Sequence, residues 1–230
     1  MWDEIIISLI VAVISFIAGR VYENRKRAKL FIQTIIKRNK EIRISCAYLF
    51  RIKFKEKYVL IKGNRIAQYQ PVGGVYKYFD SFKNIKEILE ITDEQEPSFY
   101  EDNDLRVRTK GKYILNFIDW FDSKENREVS VNREFIEEIG INDEFNKQLL
   151  STTKIEFIKQ VKEPITYSKH FKVDEIKIFD IFELDIPEDL LSKIIQQEDI
   201  TLVGKDDIEK ECILTDFKSR KIAMTAKYIL

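Results

Sequence analysis

Histidine and cysteine are almost absent: His170, Cys46 and Cys212 are the only ones in 230 residues. Three such residues, far apart, cannot supply the usual ligand set of a structural zinc site, and their spacing gives no disulfide framework. Both cysteines read as reduced and buried in a cytosolic compartment. His170 reads as a strand or loop residue rather than a catalyst. Glycine and proline are scarce too, at 7 and 4, which argues against long disordered stretches. An excess of either charge is also missing, since Lys+Arg and Asp+Glu both total 39. Net charge therefore points to no nucleic-acid partner, and no direct DNA or RNA binding is expected.

What is present is a charged fraction of 34%, an apolar fraction of 44%, 16 Phe and 10 Tyr. The length suits one substantial domain plus an appendage. The balanced total hides local patches, and the first lies at the start. From Ile5 to Gly19 no residue is charged, and only Ser8 and Ser15 are polar. Counted from Trp2 to Tyr22, a helix here would span roughly 31 Å, which matches a bilayer core. Trp2 and Tyr22 then mark the two interfaces. The acidic start, Asp3 and Glu4, and the lack of an A-x-A site argue against a cleaved signal peptide. Arg20, Arg25, Lys26, Arg27 and Lys29 follow. They predict a single-pass inner-membrane protein with its N-terminus outside, and these cations against anionic headgroups. Ser8, Ala12, Ser15 and Gly19 can face neighbouring helices as small residues do.

Residues 1–28 thus read as an anchor with a basic juxtamembrane cluster, 29–41 as a connecting helix, and 42–230 as a cytosolic domain. In the connecting helix Leu30, Phe31, Ile35 and Ile36 fall at helical spacing. Ile44–Phe54 and Tyr58–Lys62 predict a hairpin across "KEK". In "YQPVGG", Gly73 and Gly74 allow a sharp turn or close approach to a ligand. Residues 80–110 read as irregular, with a helix in "DSFKNIKEILEI" and an acidic, solvated loop around Pro97. "KYILNFIDWF" fits helix or strand. "KIEFIKQV" and "EIKIFDIFELDI" predict strands, the second long and central. "PEDLLSKIIQQ" predicts a helix with Pro187 at its first turn. The tail from Asp207 to Leu230 predicts a helix ending in an apolar segment docked on the core. This order predicts an α/β sandwich with a mixed sheet.

Chemistry concentrates in "REFIEEIGI", Arg133 to Ile141. On a helix, Val131, Phe135 and Ile139 form one apolar stripe. Glu134, Glu137 and Glu138 gather their carboxylates on one face, where like charges repel. A hard divalent cation such as Mg²⁺ would resolve that repulsion and leave positions for a substrate phosphate. Arg133, four residues before Glu137, can hold a carboxylate in place, and Gly140 ends the helix.

This stretch resembles the Nudix box, G-x5-E-x7-R-E-U-x-E-E-x-G-U, where U is apolar. Glu125 stands at the upstream glutamate position, with Glu128 as the alternative after a local shift. Asp119 occupies the position of the box glycine, whose counterpart is displaced to Gly73–Gly74 by an insertion of 45 residues, at about 75–120. The resemblance implies a Nudix α/β/α sandwich over about residues 42–185 and Mg²⁺-dependent hydrolysis of a nucleotide pyrophosphate or phosphodiester. It implies Glu134, Glu137 and Glu138 as metal ligands, Glu134 or a neighbour as general base, Arg133 as their orienter, and the Gly74 backbone near metal or phosphates. The anchor, "YQPVGG", the charged insertion, "WF", "REFIEE" and the closing "TAKYIL" together resemble the CD-NTase-associated membrane-anchored Nudix effectors of CBASS-type anti-phage signalling. That narrower resemblance implies a domain that senses a cyclic oligonucleotide and a membrane part that self-assembles and impairs the bilayer. Tyr69, Tyr76 and Tyr78 could stack bases or pack strands. Two functions therefore stand open: sensor-effector, or membrane-tethered hydrolase.

Overall fold

A computed structural model describes residues 25–63, 66–94, 103–215 and 218–230, without the side chains of Lys26, Glu134, Thr215 and Lys218. Helix α1 (Arg25–Ile36) leads into β1 (Glu41–Phe54), the spine of the fold. In β1 the alternate residues Ile42, Ile44, Cys46, Tyr48, Phe50 and Ile52 are all fully buried. That period of two assigns the strand and fixes its register.

A hairpin, with Lys55 in the left-handed conformation (φ 54°), joins β1 to β2 (Lys57–Lys62). Then come β3 (Tyr69–Pro71), β4 (Gly73–Val75), α2 (Lys83–Ile88), β5 (Thr92–Asp93), β6 (Arg106–Lys110) and α3 (Ile114–Ser123). Helices α4 (Asn132–Ile139) and α5 (Asp143–Thr152) precede β7 (Lys154–Lys162), β8 (Thr166–Ser168) and β9 (Val173–Asp185). The C-terminal part holds α6 (Glu188–Ile194), β10 (Ile200–Val203), α7 (Lys205–Glu209), β11 (Cys212–Thr215), β12 (Lys218–Lys221) and a 3₁₀ turn, Met224–Ile229.

The sheet is mixed. One edge of β1 pairs in parallel with β9, from Ile42↔Asp174 to Ile52↔Leu184. Its other edge meets β6, then β4, then β2, all antiparallel. Beyond β9 lie β8 and β7, the latter with a bulge between Phe157 and Lys159. Two hydrophobic clusters cover the two faces of the sheet. One gathers the even-numbered residues of β1 with Phe117 and Phe121 of α3, Phe135 and Ile139 of α4, and Leu190 of α6. The other gathers Leu49, Phe179 and Ile181 with Ile208, Ile222, Ala226 and Ile229 from the C-terminal segment. Helices cover one face, and the C-terminal part covers the other.

Several expectations require correction. The connecting helix already covers Arg25, ends at Ile36, and gives way to β1 at Glu41. Residues 80–110 are largely ordered, because β6 enters the main sheet and Leu105 and Val107 are fully buried. Glu94, at the mouth of the acidic loop, is no solvated surface charge: its buried carboxylate accepts from Arg43 and Arg108. Residues 95–102 of that loop lie outside the described residues. "KYILNFIDWF" settles as the helix α3. The tail is not one helix, since Glu211 turns left-handed (φ 55°) two residues after α7 ends and a hairpin follows. Its fully buried residues Ile208, Ile222, Ala226 and Ile229 do fall at helical spacing, which is why the segment imitates a helix, but the β11–β12 hairpin lies between the first and the other three. The terminal segment does dock on the core, as expected. The anchor lies outside the described residues except for 25–28, and among the described helices none is long and apolar enough to cross a membrane. Cys46 is buried as read, whereas Cys212 is only half-buried; both are free. His170 sits exposed in the turn between β8 and β9.

Candidate functional site

Helix α4 buries Val131, Phe135 and Ile139 against the sheet, with the Phe135 ring 5.8 Å from that of Phe50. That fixes which side of the helix is left outward. Gly140 ends it in an extended conformation, and a Cβ there would lie 2.4 Å from the Ile136 carbonyl oxygen. The glycine is thus demanded by close packing rather than by a left-handed turn.

On the outward side Arg133 bridges two carboxylates. Its Nη1 donates to Glu137 Oε2 at 3.1 Å, and its Nη2 to Glu128 Oε2 at 3.3 Å. Glu128 therefore takes the place beside Arg133 for which Glu125 was the first choice; Glu125 is exposed on the preceding turn. Glu137 is half exposed and Glu138 partly so. Among the described side chains, no three acids, histidines or cysteines converge on one point; Glu134 falls outside that set. The donors are all carboxylate oxygens, which suits a hard divalent cation.

The two halves of the split box meet in space. Glu128 N donates to the Lys77 carbonyl oxygen at 2.7 Å, and Tyr78 bridges to Arg127. The excursion after β4 thus closes on itself and delivers the chain to α4 beside the strand that holds the glycines. Gly73 itself lies against β1, where a Cβ would come 2.2 Å from the Tyr48 carbonyl oxygen. Its need for glycine comes from the neighbouring strand, not from a ligand. A cleft of about 240 Å³ borders Gly73 and Gly74 together with Ser45, Gln70, Arg106 and Phe179. Of its β1 residues, Ser45, Ala47 and Leu49 alternate with the ones beneath α4, so this cleft opens on the opposite face of the sheet.

Tyr76 is fully buried; its hydroxyl donates to Asp180 Oδ2 at 2.7 Å. Burial, then the Asp180 carboxylate, pushes the phenol far above its usual range, so it remains a donor. Such a ring packs the core and cannot stack a ligand base. Tyr69 is also buried, with its hydroxyl accepting from Arg220 Nη1 at 3.0 Å. Tyr78 packs on Phe82, its hydroxyl donating to Asp93 at 2.9 Å.

Sequence reasoning missed the buried cation Arg127, which is 2% exposed. Its guanidinium lies over the rings of Phe121 (3.9 Å) and Tyr76 (4.6 Å), which also pack edge to face on each other. It donates to the carbonyl oxygens of Phe121 (2.9 Å) and Glu128 (2.8 Å). Aromatic faces and carbonyl dipoles replace its lost water. On the far side of Tyr76, Asp180 also accepts from Gln160 Nε2 at 2.9 Å. A continuous line of contacts therefore runs Gln160, Asp180, Tyr76, Arg127, Glu128, Arg133. Its one visible sign in the sequence is Asp180, the single charge in the run from Ile178 to Phe182.

Gln160 opens onto a second cavity of about 560 Å³, between α1 and the body. Leu30, Leu115 and Ile118 form its apolar wall, with Tyr228, Lys162, Arg27 and Lys29 around them. Arg27 pairs with Asp119 at 2.8 Å and Lys162 with Asp122 at 2.5 Å, both acids on α3. Tyr228 donates to Glu163 at 2.6 Å, and burial and that carboxylate push its phenol upward.

The mixed sheet flanked on both faces, with the Arg133-bearing acidic helix at one end, defines a Nudix-type domain. A family model for the SMODS-associated NUDIX domain matches residues 41–230. The chain belongs to that family, which places it with the Nudix-fold effectors of CBASS-like defence. Neither the curated proteins nor the solved structures yield a match.

Proposed function

We propose that the protein recognises a cyclic oligonucleotide second messenger and acts on the bilayer through its N-terminal apolar segment, assembling as copies of itself. The observation that carries this reading is the cavity between α1 and the body. At about 560 Å³ it falls within the usual range of small-ligand sites, whereas the 240 Å³ cleft at Gly73–Gly74 falls below it. Its apolar wall suits bases, and its cations suit phosphates. Arg27–Asp119 is an exposed pair; such pairs contribute only about 0–1 kcal/mol, so a phosphate can exchange with the acid at small cost. The cavity touches both the helix leading to the apolar segment and, through Gln160, the line of contacts that ends at Arg133.

The test is native mass spectrometry of the full chain in detergent, with cyclic di- and trinucleotides and Mg²⁺. Retention of an intact cyclic nucleotide, with a shift to higher oligomers, supports the sensor; no retention of any of them sinks it. The second reading, a membrane-tethered Mg²⁺-dependent hydrolase of a nucleotide pyrophosphate or phosphodiester, is favoured by the complete "REFIEE". Glu134, Glu137 and Glu138 would hold the ion, which would neutralise phosphate charge, while Arg133 fixes Glu137. Turnover to products that Glu137→Gln abolishes would establish that reading instead.

A further inference from the structure

Helix α1 is amphipathic in the wrong sense for a body-packed helix. Its inward side holds Leu30 and Thr34, with Gln33 hydrogen-bonded to both backbone groups of Ile165 and Lys37 paired with Asp174 at 2.7 Å. Its outward side holds Phe31, Ile32, Ile35 and Ile36, which are 52%, 56%, 57% and 73% exposed. At about 100° per residue these four cover an arc of about 140°, directly opposite the docked side. Four large apolar side chains on one exposed arc need a cover.

The charges around the arc identify the cover. Residues 25–40 hold Arg25, Lys26, Arg27, Lys29, Lys37, Arg38 and Lys40 and no acid, in a chain whose total charge is zero. Arg25 and Lys29 fall at one edge of the arc, Arg27 at the other. A second copy brought face to face would set Arg25, Arg27 and Lys29 at the edges of the arc against the same three cations, with no acid in residues 25–40 to offset them. An anionic lipid surface offers both the apolar layer and the opposite charge.

We propose that the outward face of α1 lies in the headgroup and upper acyl layer of an anionic bilayer. The helix is then a membrane-contacting element that holds the domain, and the mouth of the α1 cavity, against the lipid. The inference rests on the membrane reading above and adds an orientation to it.

The experiment uses the full chain in vesicles of phosphatidylcholine with phosphatidylglycerol. Single nitroxide labels go at positions 32, 35 and 39 on a Cys212→Ser background, the fully buried Cys46 staying unlabelled. Labels at 32 and 35 should be shielded from a water-soluble relaxing agent and reached by oxygen; the label at the exposed Asn39 should behave the opposite way. Equal water access at all three positions, in protein that remains vesicle-bound, overturns the inference and leaves the membrane reading intact. Shielding with label–label broadening that disappears on dilution with unlabelled protein overturns it in favour of a second copy. Protein that leaves the vesicle fraction altogether overturns both. Ile32→Glu with Ile35→Glu, at positions already exposed, should abolish the shielding of an added label at 36 without unfolding the domain.

Discussion

Helices α1 and α4 carry equally clear apolar stripes and use them in opposite ways. In α4, Val131, Phe135 and Ile139 turn inward against the sheet while Arg133 and the glutamates face out. In α1 the stripe turns outward, and the docked side holds only Leu30 beside a small polar set, Thr34, Gln33 and Lys37. Periodicity reports that a stripe exists; what covers it depends on the surfaces the rest of the chain offers. The sheet beneath α4 presents Phe50, an apolar counterpart. The surface beneath α1 presents Leu115 and Ile118 across a cavity, and makes its direct bonds through the Ile165 backbone and Asp174, which polar groups satisfy better.

The comparison can be broken most directly by Phe135→Ala. A fully buried ring whose site cannot collapse costs about 3–5 kcal/mol, so the urea midpoint should fall sharply. A small shift would mean that α4 is not packed as described. Arg127→Met comes next, at about 2–4 kcal/mol, because the carbonyls of Phe121 and Glu128 lose a buried charged donor. Thermal unfolding should show it, and an unchanged midpoint would mean the guanidinium is dispensable.

Exposed charge should behave differently, and Glu90 separates the two cases. Hydrogen bonds from Lys110, Tyr113 and Lys112 hold its carboxyl down at about 2. Its unfolded value is near 4.3, so its contribution is complete above that pH and is lost as pH falls toward 2. Stability profiles of the native chain and Glu90→Gln should differ at neutral pH and converge near pH 2; parallel profiles would count against the cluster. The smallest effect belongs to Ile35→Ser, within about 0.5 kcal/mol for an exposed site. A large loss there would show that α1's outward side is covered by the domain itself.

Much of this architecture could be read from residues. The alternation in β1 and the polarity of "PEDLLSKI" reflect local rules, and so does the stripe of α4. The closure of the excursion could not be read, because Lys77 and Glu128 meet only once β6 and α3 have folded between them. Residues 207–230 misled because mixed charged and apolar residues imitate a helix when their partners on the sheet are unknown. At the site, Arg133 and Glu137 follow from i, i+4 geometry. Arg127 does not: a buried cation whose partners are carbonyls and rings has no spacing signature.

The parallel register of β1 and β9 also has a mechanical meaning. Tension entering through α1 reaches the start of β1, and tension leaving through the C-terminal part departs from the far end of β9. The two strands are therefore pulled in opposite directions along their length, so every rung from Ile42↔Asp174 to Ile52↔Leu184 shares the load at once. A domain pulled at its two ends is thus clamped in shear, and under the tethering proposed above it would transmit a pull to its core before any strand peels away.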